Sequence, residues 1–208
     1  MNTVRFGQQV LTPSKIVCIA RNFTEHIEEL NNLPSSEMVI FTKPNSAISN
    51  QLSVVLDEPV DFESELSFLY EDGRFCAVAL GFDLTKRRLQ GKLKKDGLPW
   101  DRAKSFDRSA VFSDFVEYND KLSDLEFELY INGSQSQFGR VSEMLYSPSE
   151  ILTEISTFMT LVNGDVVMTG TPKGVGLIQV NDRLVGTIKE NDKVILKSHW
   201  TVTYSPAE

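Results

Sequence analysis

The stretch Val60-Asp61-Phe62-Glu63-Ser64-Glu65-Leu66-Ser67-Phe68-Leu69-Tyr70 constrains the fold more than any other part of this chain. Apolar and polar residues alternate along it, which predicts a β-strand with two unlike faces over 60–70. Residues two apart point to the same side of a strand, so Asp61, Glu63, Glu65 and Ser67 share one face and Phe62, Leu66 and Phe68 take the other. Like charges about 7 Å apart repel by roughly 2 kcal/mol at an effective dielectric near 20. A strand that needed only solubility would alternate signs, so something positive is expected above Glu63 and Glu65. A third carboxylate, Asp83, follows in Gly81-Phe82-Asp83-Leu84-Thr85. Three carboxylates with no neighbouring Cys or His suit a hard cation, Mg²⁺ or Mn²⁺, rather than Zn²⁺. The competing reading is an acidic edge strand facing solvent, since acidic side chains are mostly exposed.

At 208 residues the chain is long enough for one domain with a substantial core. Its hydrophobic and charged fractions are those of a soluble globular protein, and its 13 Phe residues fit a β-rich interior. The net charge of −8 argues against general nucleic-acid binding, which needs a basic face. Cys18 and Cys76 both lie in apolar runs and read as small buried hydrophobes. No apolar run approaches the length needed to span a bilayer, so no membrane association is expected, and a reducing cytoplasm is the default location.

No repeat or low-complexity linker divides the sequence, which predicts a short leading segment, 1–14, and a single domain, 15–208. Strands are expected over 16–20, 38–42, 60–70, 75–83, 110–117, 126–131, 165–169 and 193–203. Asn132-Gly133, directly after one of them, is a hairpin turn signal. Ser147-Pro148-Ser149-Glu150 combines a cap, a proline at the first helical position and a capping box. Ile151, Ile155, Phe158 and Met159 then mark one apolar helical face. Strands dominate, which gives a mainly β or α+β class.

Three further segments carry chemistry-bearing residues. Asn22 to Leu30 reads as a short helix on which His26 and Glu29, three apart, meet on one face. A His held by a carboxylate makes a general base, and a solvated acidic helix is the alternative. Thr85 to Lys95 holds six cations, mostly a solvated surface. Within it Arg87 is the favoured partner for an anionic substrate, with Lys104 further on, because Arg grips carboxylates in bidentate fashion. Asp165 to Gly176 runs from a strand into a Gly-rich loop without the Lys-Ser/Thr of a Walker loop. Its glycines permit close backbone approach to a ligand, and Thr171 offers a hydroxyl and an amide.

Together these segments resemble the fumarylacetoacetate hydrolase family. The matching residues are Ile19-Ala20-Arg21-Asn22-Phe23 with His26 and Glu29, Phe41-Thr42-Lys43-Pro44, Glu63-Ser64-Glu65-Leu66, and Asp83-Leu84-Thr85-Lys86-Arg87 with Gln90. Pro99 to Asp107 and Thr169 to Gly176 complete a set that runs from about residue 15 to 197. The resemblance is to the compact acylpyruvase branch. It implies a mixed β-sandwich roll, a homodimer, and Glu63, Glu65 and Asp83 as ligands of Mg²⁺ or Mn²⁺. It implies His26 and Glu29 as a water-activating dyad on a lid, with Arg21, Arg87, Gln90, Lys104 and Thr171 holding substrate or stabilising negative charge. Ala20, Phe23, Phe82 and Arg88 depart from the family pattern, and Phe23 and Phe82 are expected to remove polar groups near the site. Lys43 receives no role.

The activity this implies is metal-dependent C–C hydrolysis of a small 2-oxo acid with a second carbonyl at C4, an acylpyruvate. Oxaloacetate decarboxylation, oxaloacetate keto–enol tautomerisation and a 2-hydroxyhepta-2,4-diene-1,7-dioate isomerase-type activity draw on the same groups, because function belongs to the site rather than the fold. A metal-dependent binding protein on the same fold is the non-enzymatic alternative.

Overall fold

A computed structural model describes residues 1–29, 37–54, 59–118 and 121–204. In chain order the strands are β1 (Val4–Phe6), β2 (Gln9–Leu11), β3 (Lys15–Ala20), β4 (Val39–Pro44), β5 (Ile48–Ser49), β6 (Ser53–Val54), β7 (Asp61–Phe62), β8 (Ser64–Glu71) and β9 (Arg74–Asp83). They continue as β10 (Ala110–Phe112), β11 (Leu125–Ile131), β12 (Ser134–Arg140), β13 (Val166–Met168), β14 (Gly176–Leu177), β15 (Arg183–Glu190), β16 (Lys193–Thr201) and β17 (Thr203–Tyr204). The helices are α1 (Thr24–Glu29), α2 (Arg87–Lys95), α3 (Asp101–Lys104) and α4 (Pro148–Phe158).

Two sheets dominate. A mixed sheet runs β4-β3-β13-β8-β9-β10-β5, and an antiparallel sheet runs β12-β11-β15-β16. The alternation read from sequence is what joins them. One face of the mixed sheet presents Val17, Leu66, Phe68, Val78, Leu80 and Phe82 to Phe127, Leu129, Leu184, Ile188 and Trp200 of the smaller sheet, and these form one core. The opposite face presents Ile16, Cys18, Leu69, Ala77, Ala79 and Met168 to a second core that includes Val4 and Phe115. Val4 and the Phe6–Phe115 bridge tie the first residues onto this second core. The fold is thus mainly β with few short helices, as the alternation requires.

Gly186 in β15 sits where the two sheets come closest: a Cβ there would lie 2.1 Å from Leu80 Cδ2. Phe82 fills the same core, edge-on to Trp200 at 5.0 Å.

Two strand boundaries differ from the sequence expectation. The strand over 60–70 is broken at Glu63 into β7, which pairs with β14, and β8, which pairs with β9 and β13. The strand over 110–117 is interrupted after Phe112, where the Ser113 hydroxyl accepts the Leu80 amide at 3.0 Å in place of a backbone carbonyl, and its pairing with β9 resumes at the Val116–Val78 bridge. The helix begins as the capping box dictates, with Ser147 Oγ accepting from Glu150 N at 3.3 Å and Glu150 Oε2 accepting from Ser147 N at 2.8 Å. Ile151 and Ile155 are buried, whereas Phe158 on its last turn stays 57% exposed. In α1 Ile27 packs inward, and Leu30 lies outside the described residues.

Candidate active site

Glu63 and Glu65 flank Ser64 at the start of β8, and the Glu63 carbonyl accepts the Asp83 amide at 2.8 Å, so the end of β9 brings Asp83 beside them. Oxygens of the three carboxylates lie within 4.8 Å of one another. All three residues are buried, none more than 5% exposed. The solvent-facing edge strand is thereby excluded: β8 lies inside the mixed sheet between β13 and β9. At this spacing each pair of negative charges repels by about 3 kcal/mol at an effective dielectric near 20, and burial adds to the cost.

Cations meet part of that charge. Lys104 Nζ, at the end of α3, donates to Glu63 Oε2 at 2.7 Å, Asp83 Oδ2 at 2.6 Å and Thr85 Oγ1 at 2.6 Å. Arg87 donates to Asp61 Oδ2 at 2.9 Å, to Gln90 Oε1 at 3.1 Å and to Glu63 Oε1. Lys43, fully buried, explains its presence in the matching segment: its Nζ lies 2.8 Å from Asp83 Oδ1 and donates to Ser109 Oγ at 3.0 Å and to the Lys104 carbonyl. It fixes both a carboxylate and the loop that carries Lys104.

The balance is uneven. Burial opposes the charge of Glu63, but Lys104 and Arg87 outweigh it and hold that carboxyl well below the usual range. Burial likewise disfavours the Lys104 ammonium, yet Asp83 and Glu63 more than restore it and its pKa is raised. Glu65 has no such cation. Burial, Asp83 and Glu63 all push its carboxyl up, and the Gly170 amide, donating to Oε2 at 2.7 Å, and the Lys104 charge at longer range pull the other way without restoring it. Asp83 Oδ1 has no hydrogen-bond donor among the described residues, since the Lys43 contact misses hydrogen-bond geometry. A buried carboxylate without an ion-pair contact among the described residues and a buried oxygen without a donor, in an all-oxygen set, fit a hard divalent cation.

The Gly-rich loop after β13 closes one side. Gly170 has φ 98°, and a Cβ there would come within 2.8 Å of Asn22 Cβ and 3.1 Å of the Ile19 carbonyl, so only glycine brings this amide to Glu65. Asn22 pins the chain ahead of α1 by donating to the Thr169 carbonyl at 2.8 Å and the Tyr146 carbonyl at 3.0 Å. On α1, His26 is 6% exposed and its Nδ1 lies 3.2 Å from Glu29 Oε2. Glu29 Oε1 also accepts the Gly174 amide at 3.0 Å, and Glu25 meets Lys173 at 3.0 Å. Burial lowers the His26 pKa more than the Glu63 charge and the Glu29 hydrogen bond raise it, which leaves the ring neutral near pH 7.

His26, Glu63, Glu65 and Asp83 line one cleft with Arg21, Arg87, Gln90, Lys94, Trp100, Lys104 and Thr171. Every side chain assigned a metal, substrate or catalytic role from the sequence is on its wall except Glu29, which reaches it through His26. Arg87 and Lys104 differ from expectation in one respect: their donors are turned to the protein's own carboxylates. Phe82 differs as well. It points into the core from the face opposite Asp83, so it removes no polar group from the cleft. Phe23 is likewise buried, and its backbone bridges Met144.

Two residues on or behind the wall were not foreseen. Gln137, on β12, accepts from the Ser64 amide at 3.0 Å and donates to Thr171 Oγ1 at 2.8 Å and the Pro172 carbonyl at 2.9 Å. It clamps the strand of Glu63 and Glu65 to the Gly-rich loop. The polar run Ser134-Gln135-Ser136-Gln137 hides it, although the preceding Asn132-Gly133 turn implies a partner strand there. Lys94 belongs to the cationic run read as surface.

Residues 76–203 match the model of the fumarylacetoacetate hydrolase C-terminal family. The chain belongs to this family. The oxaloacetate tautomerase YcgM of Escherichia coli is 37% identical over 193 residues, covering 84% of this chain and 88% of that protein. The mitochondrial oxaloacetate tautomerase FAHD1 of Homo sapiens is 36% identical over 187 residues, covering 81% and 84%. A structure of the fumarylacetoacetate isomerase/hydrolase type from Oleispira antarctica superimposes with a TM-score of 0.92 at 33% identity, covering 97% of this chain and all of that one. The fold alone is shared with fumarylpyruvate hydrolase from Pseudomonas aeruginosa, whose structure contains Mn²⁺ and pyruvate (TM-score 0.87, 24% identity, 98% and 96% covered). As a member of this family the chain keeps the mixed β-sheet architecture and an enzyme-type site.

Proposed function

We propose that this chain is a divalent-metal-dependent enzyme acting on small 2-oxo acids, and that its reaction is the keto–enol tautomerisation of oxaloacetate. The observation that carries the reading is the meeting of a buried carboxylate trio with a carboxylate-held, neutral histidine in one cleft. Relatives that are 36–37% identical and carry the name oxaloacetate tautomerase support it. Glu63, Glu65 and Asp83 would hold Mg²⁺ or Mn²⁺, which supplies electrophilic stabilisation of negative charge on the substrate's 2-oxygen.

The chain's own groups do the rest. Glu29 engages Nδ1 of His26 and leaves Nε2 as the nitrogen that accepts a proton. His26 takes one proton from C3 of the keto acid. The C–H electron pair becomes the C2–C3 double bond, and the carbonyl electrons move to the 2-oxygen. His26 then gives that proton to the 2-oxygen and returns to its neutral form, and the reverse sequence regenerates the ketone, so no atom is gained or lost. Gln137 and Gly170 keep the carboxylates and the loop in register.

Acylpyruvate hydrolysis, the expectation from the sequence, is the second reading. It is favoured by the same dyad, which can activate water. It asks Lys104 and Thr171 to stabilise an oxyanion. Without metal the three Lys104 donors are engaged by Glu63, Asp83 and Thr85, and Thr171 Oγ1 accepts from Gln137, so hydrolysis requires Lys104 to leave the carboxylates. Following the decay of enol-oxaloacetate absorbance and the cleavage of acetylpyruvate side by side in Mg²⁺ separates the two. The proposal expects enol–keto exchange to exceed acetylpyruvate cleavage by at least about 100-fold in kcat/KM, roughly 3 kcal/mol of barrier. Faster cleavage than exchange would establish the hydrolase instead.

A further inference from the structure

We propose that Lys94, together with Arg21, forms a second anion-binding position in this cleft that receives the distal carboxylate of a 2-oxo dicarboxylic acid. The inference rests on the reading above and specifies which end of the substrate the cleft discriminates.

The cationic run Thr85–Lys95 was expected to be mostly solvated surface. It folds instead as α2, and a helix sets residues three and seven apart on one side. Arg87, Gln90 and Lys94 therefore share a face, and all three line the cleft. Arg88, Lys92 and Lys95 stay exposed, as a solvated surface requires.

Lys94 differs from Arg87 and Lys104 in its partners. Arg87 and Lys104 are engaged by Asp61, Glu63 and Asp83. Lys94 has no hydrogen-bond acceptor and no carboxylate partner among the described residues. Its ammonium lies 4.9 Å from the centroid of the Trp100 ring, a cation–π contact that holds the charge in place while leaving its N–H donors available. Lys94 is half-buried. Burial first, then the charges of Arg21, Arg87 and Lys104, push its pKa down to about 8, and Glu63 only partly offsets them. Cations crowded in this way are the mirror image of the crowded carboxylates: they are tolerated best when an anion lies between them.

The anion that fits is set by the rest of the cleft. A divalent ion on the carboxylate trio takes the 2-oxo acid end, so what remains for Lys94 and Arg21 is the far end of the same molecule. The alternative position for that end is the larger recess on the other side of Trp100, about 300 Å³ in volume. Val39, Ile40, Phe41 and Leu98 line it together with Thr42, Ser105 and Asp101, and its one charged group, the Asp101 carboxylate, repels a second carboxylate.

L-Malate and L-lactate test the assignment. They present the same 2-hydroxy acid end and differ in the distal carboxylate, and neither depends on turnover. Titration calorimetry in saturating Mn²⁺ is expected to show malate binding at least about tenfold tighter than lactate to the wild-type chain, the worth of one charge-assisted contact. Lys94→Met should bring the two within about twofold of each other, with lactate affinity and the melting temperature little changed. Lys94→Arg should keep the preference. A wild-type chain that binds malate no tighter than lactate overturns the proposal, and so does a Lys94→Met variant that keeps the preference or weakens both acids equally. If the preference follows Lys94 while oxaloacetate is not tautomerised, the reaction assignment fails and the anion position stands. If tautomerisation proceeds without the preference, the anion position alone fails.

Discussion

Glu65 is the carboxylate with the least support from its own protein. Its one described polar partner is the Gly170 amide, and Glu63 and Asp83 press on it from within 4.8 Å. Glu65→Gln should therefore act in opposite directions with and without metal. In EDTA the variant should melt at or a few degrees above the wild type, because it relieves roughly 1–3 kcal/mol of buried repulsion. In Mn²⁺ the wild type should gain stability and the variant should not, with affinity for the ion reduced by more than about 100-fold. A thermal melt of both proteins in both buffers reads this out. His26 makes the second residue-scale prediction. Its lowered pKa means the folded chain holds fewer protons than the unfolded one between that pKa and about 6.5, so stability rises with pH across that window and is lost on acidification. The same neutral ring is the base, so the acidic limb of kcat/KM should have its midpoint below pH 6.5, and His26→Ala should lower kcat by about 10²–10⁴ and abolish that limb. A limb that survives in the variant would assign the base elsewhere. The trio and the dyad were legible because each rests on short-range periodicity: Glu63 and Glu65 two apart on a strand, His26 and Glu29 three apart on a helix. What Glu63 and Asp83 bond to was not legible, since Lys43 and Lys104 reach them from segments far along the chain.

At the scale of elements, the site depends on how three chain segments are locked together. The Gly-rich loop carries the Gly170 amide to Glu65, α1 docks on that loop through Glu29–Gly174 and Glu25–Lys173, and Gln137 ties the loop to β8. Gly170→Ala should be among the most damaging single changes. Its left-handed φ and the 2.8 Å approach to Asn22 predict a loss of about 2 kcal/mol or more and weaker metal binding, both measurable by denaturant titration with and without Mn²⁺. Gln137→Leu should instead deprive the buried Ser64 amide and hydroxyl, the Thr171 hydroxyl and the Pro172 carbonyl of this partner, and cost about 1–3 kcal/mol. The long alternating strands were readable because their inward residues are large and apolar. β12 and β15 were not, and the reasons differ. β12 is polar along most of its length, and β15 places Gly186 at an inward position where a side chain from the facing sheet, Leu80, supplies the missing bulk. α2 was missed because its buried face is Gln90 and Leu93 with Arg87 and Lys94 beside them, too few apolar residues among its cations to mark a core-facing stripe.

At the scale of the molecule, the two sheets build a core whose function is to hold strand ends rather than to enclose a cavity. The cleft that they hold is walled by residues of β3, α1, β8, β9, α2, α3 and the Gly-rich loop. Among these, α1 is six residues long and tethered to the Gly-rich loop by two polar contacts. Divalent metal should stabilise the whole fold by mass action, by about 2.7 kcal/mol at a concentration 100-fold above Kd. The most direct test of the metal centre is an anomalous difference map from crystals soaked in Mn²⁺. It should show one peak bonded to oxygens of Glu63, Glu65 and Asp83, with the Lys104 ammonium drawn back from its contacts to Glu63 and Asp83. A map without a peak there, with Lys104 still bridging those carboxylates in ample Mn²⁺, would contradict the assignment.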